Sequence, residues 1–437
     1  MPGVGVQIMS HELLSRRQYV KATGALGAVS LGALSGYLGE PGSLQEETFE
    51  IVHWWTAGGE EEALEALLDG YQEGHPDVEI DNNPAPGGAG SALDAAIQSR
   101  IVDETPPSTF QIWPGESLRP YTDADVLASV EDLWDDEMRE AYLDSVMDAA
   151  SPEEELVSVP INIHRLNNLF YNVEVVEDAG VDPAEIDDPV DLLDALETVD
   201  DAGYTGMAQQ TTSEWSTVQL WETVLAAQHG VDAFEAYIAG ETEGLEDEVR
   251  ESLELVVEYS EYFSPDAGAI AWDEANAQVI DGAAAFIHQG DWAAGQYGEA
   301  DFEYGTEWDF VAYPGTDGVY SIVMDSFVMP EPNPSPEATE AFLSYCGTID
   351  AQERFNPIKG SIPPRTDVPT DEFPPFLQDQ MADFEESDAQ PTTIGHGSAV
   401  RPEIKSEIEE TFAGFIETWD VEETTEALLN AHEAAGV

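Results

Sequence analysis

The sequence is poor in cysteine and in basic residues. Its 437 residues contain one cysteine, Cys346, and 13 lysines and arginines against 91 aspartates and glutamates. A single cysteine excludes a disulfide framework within the chain and a cysteine-rich zinc or iron–sulfur site. The formal net charge of −78 argues against binding to nucleic acid or to an anionic membrane surface, because both need a cationic face.

High net charge is typical of disordered chains, but the apolar content here favours a folded protein. Hydrophobic residues make up 42% of the sequence and include ten tryptophans, which is enough for a sizeable core. We therefore expect the acidic residues to lie on the surface. Lysine is the scarcest charged residue, with only Lys21, Lys359 and Lys405 present.

An acidic, lysine-poor surface predicts a halophilic protein. Salt at about 1 M shortens the range of electrostatic repulsion to about 3 Å, which makes such a surface tolerable. The alternative, an ordinary acidic protein at low salt, would leave this repulsion largely unscreened.

Residues 1–43 differ in composition from the rest of the chain. They carry three basic and two acidic residues, and the pair Arg16-Arg17 precedes a Gly/Ala-rich apolar run over 22–38. This order predicts an export signal of the twin-arginine type, with an amphipathic first helix as the alternative. No cysteine lies near residues 35–37 for lipid attachment. We expect an exported protein at the extracellular face of the cell membrane, and its mode of retention stays open.

From residue 47 onward, apolar residues alternate between strand and helix periods. Strand-like segments at 49–54, 78–81 and 109–113 alternate with helical segments at 60–74 and 91–102. This order predicts a parallel sheet, with ligands bound at the carboxyl ends of its strands. The residues expected to face that crevice are Trp54, Trp55, Glu60 and Trp113.

A second feature is the extended run from Leu156 to Tyr171. It is too long for a strand within one compact lobe, so we expect it to cross between two lobes. Later segments predict further helices and a strand over 283–287 that ends at Gly290-Asp291-Trp292. The predicted helices cover 189–201, 217–230, 246–263 and 272–280.

The sequence also lacks the motifs of several common enzyme sites. It has no His-Glu-x-x-His pair, no Walker loop and no Gly-x-Ser-x-Gly elbow, and we expect no metal and no cofactor. Close acidic pairs arise by chance among 91 carboxylates, so spacing alone does not support a glycosidase dyad. Tryptophans and polar residues at predicted strand ends suit a neutral, hydroxyl-rich ligand that stacks and accepts hydrogen bonds.

Lys359 stands out by composition alone. In a chain that has almost no lysine, one lysine kept within Ile358-Lys359-Gly360-Ser361 indicates a local need for an ammonium group. A solvated or ion-paired lysine fits the sequence equally well.

Five segments, taken in order, carry a resemblance to a known family. They are Val52–Glu60, Pro160–Arg165, Gly290–Trp292, Met324–Phe327 and Lys359–Pro363. Together they resemble the extracellular family 1 solute-binding proteins of ABC sugar importers, and most closely the glucose-binding branch. The resemblance extends from about residue 47 to the C-terminus.

The resemblance implies an α/β fold with two periplasmic-binding-protein-like lobes (type II), joined by a hinge of several crossing segments. The first lobe would comprise residues 44–162 and about 322–350. The second would comprise about 163–321 and 351–437.

The same resemblance implies the ligand-binding residues. Trp54 and Trp55 would supply a stacking face and an indole N–H, and Glu60 would accept hydrogen bonds from sugar hydroxyls. Trp292 would close the opposite face from the second lobe. Hydroxyl contacts are further implied for Asp325, Lys359 and His396, while His164 and Asn162 would either touch the ligand or only hold the hinge.

One position departs from the branch that the chain resembles. There the third strand usually ends in Gln-Ile-Lys-Gly, whereas this chain has Gln111-Ile112-Trp113-Pro114-Gly115. An aromatic ring replaces a cationic donor, which admits a related hexose or a disaccharide besides glucose. Trp215 and Trp272 stay undecided between core and site, and four tryptophans are expected in the core or on the surface: Trp134, Trp221, Trp308 and Trp419.

These features predict binding without turnover. We expect the substrate-binding subunit of an ABC sugar importer, a monomer that binds glucose or a related hexose between its lobes and delivers it to permease subunits. The enzyme alternative is a secreted glycoside hydrolase acting on a polysaccharide. A structural cell-surface protein is disfavoured because the chain has no internal repeats.

Overall fold

The structure is a computed structural model that describes residues 48–57, 59–85, 90–152 and 155–436. The export signal predicted at residues 1–43 lies outside the described residues.

The strands of the described residues pair into three sheets. In chain order they are β1 (Thr48–His53), β2 (Glu79–Pro84), β3 (Thr109–Ile112), β4 (Ser158–Pro160), β5 (His164–Arg165), β6 (Asn168–Asn172), β7 (Thr205–Met207), β8 (Ala284–Gln289), β9 (Trp308–Ala312), β10 (Ile322–Val323) and β11 (Ser326–Val328).

The helices flank the two larger sheets. Those before the last crossing between sheets are α1 (Glu60–Gly74), α2 (Ser91–Val102), α3 (Arg119–Asp123), α4 (Asp136–Ala141), α5 (Asp144–Ala150), α6 (Val173–Ala179), α7 (Pro189–Ala202), α8 (Trp215–His229), α9 (Val231–Ile238), α10 (Glu246–Ser260), α11 (Trp272–Ile280), α12 (Ala293–Glu299), α13 (Pro336–Cys346) and α14 (Ile349–Lys359). The chain then ends with α15 (Pro375–Glu386), α16 (Pro402–Thr418) and α17 (Val421–Ala435), and short 3-10 helices lie at Glu116–Leu118, Glu131–Leu133 and Pro183–Glu185.

The first sheet has the strand order β2-β1-β3-β11-β4. Strand β1 is parallel to β2 and β3, as the sequence predicted, whereas β11 is antiparallel to β3 and β4. The prediction of a parallel sheet is therefore wrong for β11, because this strand brings the chain back in the direction opposite to β4. We call this sheet and the helices packed on it the first lobe.

The second sheet has the order β7-β8-β6-β9. Strand β7 is parallel to β8, and β6 is antiparallel to β8 and β9. Its largest core cluster contains Leu169, Phe286 and Phe412 from β6, β8 and α16. We call this sheet and its helices the second lobe.

A short antiparallel pair links the two lobes. Strand β5 follows β4 and pairs with β10, which precedes β11. The extended run predicted over 156–171 is thus divided into β4, β5 and β6, which confirms its crossing between lobes. A third segment crosses after α14, where Ile362 bridges to Ile163.

Helix α1 illustrates how the local sequence builds these layers. Leu64, Leu67, Leu68 and Tyr71 recur at helical spacing and are buried against the first sheet. The first turn begins with three glutamates, whose negative charge is favourable at the positive end of the helix dipole.

The sequence predicted that the chain passes from the first lobe to the second near residue 350, but the packing of α14 places this passage later. This helix buries Ala351 and Phe355 in the same core as Phe49 and Leu64 of the first lobe. The predicted boundary cuts the start of this helix, whose apolar face belongs with α1. The chain returns to the second lobe only later, where Phe376 of α15 packs against Phe170.

The acidic residues lie on the surface, as the composition predicted. Among the described residues, the carboxylate residues that are almost fully buried are Glu222, Asp291 and Asp325, and the Glu60 side chain is 12% exposed. The helices that the structure describes include none with the length and apolar character needed to cross a membrane.

Candidate ligand-binding site

A cavity of about 260 Å³ lies between the two lobes. All nine residues predicted to bind ligand line it, together with the two undecided tryptophans, Trp215 and Trp272. The lining residues are Trp54, Trp55, Thr56, Ala57, Glu60, Trp113, His164, Trp215, Ala271, Trp272, Asp273, Trp292, Val323, Asp325, Lys359 and His396.

Strand ends of the first lobe supply one aromatic wall. Trp54 and Trp55 follow β1, and Trp113 follows β3, so adjacent parallel strands carry them to one edge of the sheet. The rings of Trp54 and Trp113 lie 4.8 Å apart between centroids. Trp55 is only 1% exposed and packs on Phe355 at 5.1 Å, and its Nε1 has no hydrogen-bond partner among the described residues.

An ion pair stands beside this wall. Lys359 Nζ donates to Glu60 Oε1 at 2.8 Å and lies 5.7 Å from the centroid of the Trp55 ring. Glu60 opens α1 and Lys359 ends α14, and these two helices pack together in the first lobe. Burial raises the pKa of Glu60, while the nearby Lys359 ammonium opposes that shift. Lys359 is therefore both ion-paired and part of the cavity wall.

Asp325 is held in place at the hinge by two amides. Its Oδ1 accepts from Gln111 Nε2 at 2.9 Å, and its Oδ2 accepts from Asn162 Nδ2 at 2.8 Å. The Asp325 backbone N–H donates back to Asn162 Oδ1 at 2.7 Å, and Trp54 N–H donates to Gln111 Oε1 at 3.1 Å. Sequence reasoning gave Gln111 no role, because nothing in the pattern shows that a buried strand amide will reach a hinge carboxylate.

His164 joins the two lobes through its ring nitrogens. Its Nδ1 bonds to Asp291 Oδ1, and its Nε2 lies 3.1 Å from Asn162 Nδ2. Burial lowers the pKa of His164 and raises that of Asp291. The ring is therefore neutral, and since Asn162 is a donor, Nδ1 carries the proton. Both nitrogens are engaged within the protein, which favours the hinge-holding alternative for His164.

The second lobe supplies the opposite wall. Trp292 stands edge-on to His164 at 5.3 Å between ring centroids, and His396 lies 5.1 Å from Trp292 and 5.5 Å from Trp113. Burial, with a further effect of nearby Lys405, lowers the pKa of His396 to about 3, so this ring is neutral. Trp215 and Trp272 begin α8 and α11 and complete the wall.

A buried carboxylate anchors the loop that carries His396. Glu222 of α8 accepts from the backbone N–H groups of Ile394 at 2.6 Å and Gly395 at 3.1 Å. Burial raises the pKa of Glu222 to about 8, and the two hydrogen bonds oppose the shift. The sequence gave no signal for Glu222, since a glutamate within a helix is ordinarily solvated.

Trp113, which replaces the lysine of the glucose-binding branch, is contacted by a lysine of the second lobe. Lys405 Nζ lies 5.3 Å from the centroid of the Trp113 ring and donates to Glu409 Oε1 at 2.6 Å. The Lys405 ammonium thus packs against the Trp113 ring, at the position where the glucose-binding branch usually has a lysine. Sequence reasoning missed Lys405, although it is one of only three lysines.

The remaining tryptophans lie away from this cavity. Trp134, Trp221 and Trp308 are at most 3% exposed within the cores, and Trp419 packs at the edge of the second-lobe core.

The chemistry of the cavity suits a neutral polar ligand. Six tryptophans offer apolar faces, and Glu60, Asp273 and Asp325 outnumber the single ammonium of Lys359. This charge balance disfavours an anionic ligand. Within the part of the chain that the structure describes, no cluster of three or more His, Cys, Asp or Glu side chains is arranged to hold a metal.

Two α/β lobes around an aromatic cleft define the class of solute-binding proteins, and comparison with known proteins agrees. Residues 57–353 match the family of bacterial extracellular solute-binding proteins. The chain belongs to this family.

Relatives of this chain cover nearly its whole length. A xylose/arabinose-binding protein of Haloferax volcanii is 37% identical over 396 residues, which are 89% of this chain and 85% of that protein. An ABC transporter extracellular-binding protein of Pyrococcus horikoshii is 35% identical over 89% of this chain and 88% of its own length.

The solved structures support the same fold. A bacterial solute receptor described as preferring β-D-galactopyranose superposes with a TM-score of 0.77 at 15% identity, covering 90% of this chain and 99% of the receptor. The predicted two-lobe periplasmic-binding-protein-like fold is thereby confirmed.

Proposed function

We propose that this protein is the extracellular substrate-binding subunit of an ABC sugar importer and binds a neutral monosaccharide between its lobes. The observation that carries the proposal is the cavity of about 260 Å³, in which tryptophans from both lobes face each other around Glu60, Lys359 and Asp325. This combination of aromatic faces and charged hydrogen-bonding groups matches the two surfaces of a sugar ring.

The aromatic and the charged residues of the cavity wall contact different parts of the sugar in this proposal. The C–H faces of the sugar stack on the tryptophans, with about 0.5–1.5 kcal/mol per ring beyond area burial if aromatic pairs are a guide. Sugar hydroxyls bond to Glu60, Lys359 and Asp325, and each such charged hydrogen bond contributes about 1.5–3 kcal/mol. Gln111 and Asn162 hold the Asp325 carboxylate in place, so little side-chain freedom is lost on binding.

The volume of the cavity favours a monosaccharide over a longer oligosaccharide. Pockets for drug-sized ligands occupy about 300–1,000 Å³, and this cavity lies just below that range. Glucose and related hexoses stay candidates from the sequence. The similarity to a xylose/arabinose-binding protein adds the pentoses xylose and arabinose.

The transport step follows from the two-lobe arrangement. Sugar contacts both lobes only when they are closed, so it shifts the population toward the closed state. The closed form then presents its surface to the membrane permease. We further propose that the protein is exported, acts as a monomer and works in concentrated salt.

Calorimetric titration in multimolar salt tests the proposal. The panel is glucose, galactose, mannose, xylose, arabinose and a disaccharide, and tryptophan fluorescence provides a second signal. Saturable binding of at least one monosaccharide is expected. The absence of heat and of any fluorescence change with every sugar would refute the proposal. Release of reducing sugar from a polysaccharide would instead favour the glycoside hydrolase alternative.

A further inference from the structure

The two lobes meet through backbone atoms next to the ligand cavity. Gly59 lies just before α1 in the first lobe, and Gly295 lies within α12 of the second lobe. A Cβ placed on Gly295 would be 3.0 Å from the carbonyl oxygen of Ile358 and 3.4 Å from Gly59 Cα. The 3.0 Å distance to the carbonyl oxygen is tighter than most contacts that real Cβ atoms make, and the 3.4 Å distance is at the short limit of ordinary van der Waals contact. The close approach therefore depends on the absence of a side chain at position 295.

The same contact includes the turn that follows α14. A Cβ on Gly360 would lie 2.7 Å from the Asp291 carbonyl oxygen and 3.1 Å from Gly295 N. The backbone of the first lobe at 358–360 thus rests directly on the start of α12. Backbone atoms have little freedom to move aside, so a methyl group on Gly295 must displace the helix or the lobe by a few tenths of an ångström, which disfavours the closed arrangement.

Nothing in α12 itself requires glycine at position 295. Glycine lowers helix stability relative to alanine, and Gly295 lies inside the helix. Its φ is not among the positive values found in the described residues. A Cβ on Gly298, in the same helix, would have no heavy atom within 4 Å. The two glycines therefore differ in that only Gly295 lies against the backbone of the first lobe.

The helix also carries a cavity residue. Trp292 directly precedes α12, lines the cavity and contacts His164 of the hinge. The lobes also touch elsewhere, where Ser117 Oγ donates to the Gly397 carbonyl oxygen at 2.8 Å. Displacing α12 would therefore widen the cleft and move Trp292 away from the first-lobe wall.

We propose that Gly295 is a positioning residue that sets how closely the lobes approach and thereby sets ligand affinity. The affinity part rests on the proposed sugar-binding function. The closed arrangement of the lobes is sampled without ligand as well as with it, so the share of molecules at the short interlobe distance can be measured in both conditions.

The test compares Gly295→Ala with Gly298→Ala, a matched control in the same helix. Spin labels at Val102→Cys and Val190→Cys report the distance between lobes, because both valines are 53% exposed and lie on α2 and α7. The natural Cys346 is buried, which protects it from labelling. Double electron–electron resonance measures the distance between the two labels with and without the sugar that the wild-type protein binds. Sugar affinity is measured by calorimetry, and the melting temperature of each variant is recorded.

For Gly295→Ala we expect longer interlobe distances, an affinity lower by about tenfold or more, and a melting temperature no lower than that of Gly298→Ala. Gly298→Ala should match wild type in distance and affinity. Equal distances and affinities in the two variants would overturn the proposal, as would a lower melting temperature of Gly295→Ala with unchanged distances.

If wild type binds no sugar, the proposed function fails, and the sugar-free distances alone decide the role of Gly295. Longer distances in Gly295→Ala then support that role, and unchanged distances reject it.

Discussion

Lys359 Nζ and Glu60 Oε1 lie 2.8 Å apart, at the wall of a cavity that both side chains line. The Lys359 side chain is 2% exposed and the Glu60 side chain 12%. Removing one partner of a buried ion pair leaves an uncompensated charge, whereas removing both is far less costly. The contribution of this pair to folding and its proposed part in ligand binding can therefore be tested separately.

We expect Lys359→Met to weaken sugar binding by about 1.5–3 kcal/mol, because a charged hydrogen bond to a hydroxyl is lost. The same variant should lower the free energy of unfolding by about 3–5 kcal/mol, because Glu60 stays buried without its partner. Calorimetry and chemical denaturation measure the two quantities.

The control is the double variant Glu60→Gln with Lys359→Met. It should recover most of the stability while its sugar affinity stays low. Recovery of affinity together with stability would show that the ion pair serves folding alone.

We expect Trp272→Ala to weaken sugar binding by about 0.5–1.5 kcal/mol, because a stacking face is lost from the cavity wall. Trp419→Ala is the matched control, since Trp419 is also partly buried but lies outside the cavity. The dissociation constants of both variants, measured by fluorescence titration, are compared with wild type. Equal losses of affinity in both variants would argue against a ligand contact for Trp272.

The pKa of Glu222 predicts a pH dependence of stability. Burial raises this pKa from 4.5 in the unfolded chain to about 8 in the folded protein. The folded protein therefore holds a proton that the unfolded chain has lost. The contribution of Glu222 to the free energy of unfolding falls as the pH rises from about 4.5 to about 8, by an amount on the order of 5 kcal/mol.

Denaturation curves between pH 5 and pH 8.5 at constant salt measure this effect. We expect Glu222→Gln to flatten the decline in the free energy of unfolding over that range, because the amide does not titrate. Glu254→Gln, an exposed position on α10, should keep the wild-type slope. A wild-type slope in Glu222→Gln would show that the proton is held elsewhere.

The surface charge predicts a strong salt dependence. We expect the free energy of unfolding at pH 7 to rise by about 2 kcal/mol or more between 0.2 and 2 M KCl, because salt screens repulsion among the exposed carboxylates. Thermal denaturation followed by circular dichroism measures this change. The dependence should shrink at about pH 4, where carboxylates begin to be protonated. Equal stability at both salt concentrations would contradict a halophilic origin.

Local signals predicted the first-lobe wall of the candidate site, whereas Trp292, Asp325, His164 and His396 were implied by the family resemblance. Tryptophans at the ends of β1 and β3 face one edge of the sheet once these strands are parallel, and strand periodicity alone indicates that arrangement. The scarcity of lysine similarly singled out Lys359. Asp273 and Lys405 were missed, since no local pattern shows which face of a distant helix will turn toward the cleft.

The assignment of chain segments to the two lobes was harder to predict than the site. The predicted boundary near residue 350 cuts α14, and nothing in the sequence of this helix indicates which lobe its buried face packs on. Its assignment depends on Phe355 meeting Trp55 and the core around Phe49. That contact joins residues 300 positions apart in the chain.

The sequence by itself determined the acidic character of the protein surface, the α/β composition of the fold and the residue types of the cleft. These properties follow from composition and from periods of a few residues. Only the tertiary structure decided that Glu60 neutralises Lys359, that Glu222 holds the His396 loop and that Gly295 lets the lobes touch. Each of these contacts joins segments far apart in sequence, and close packing selects them only after the lobes have formed.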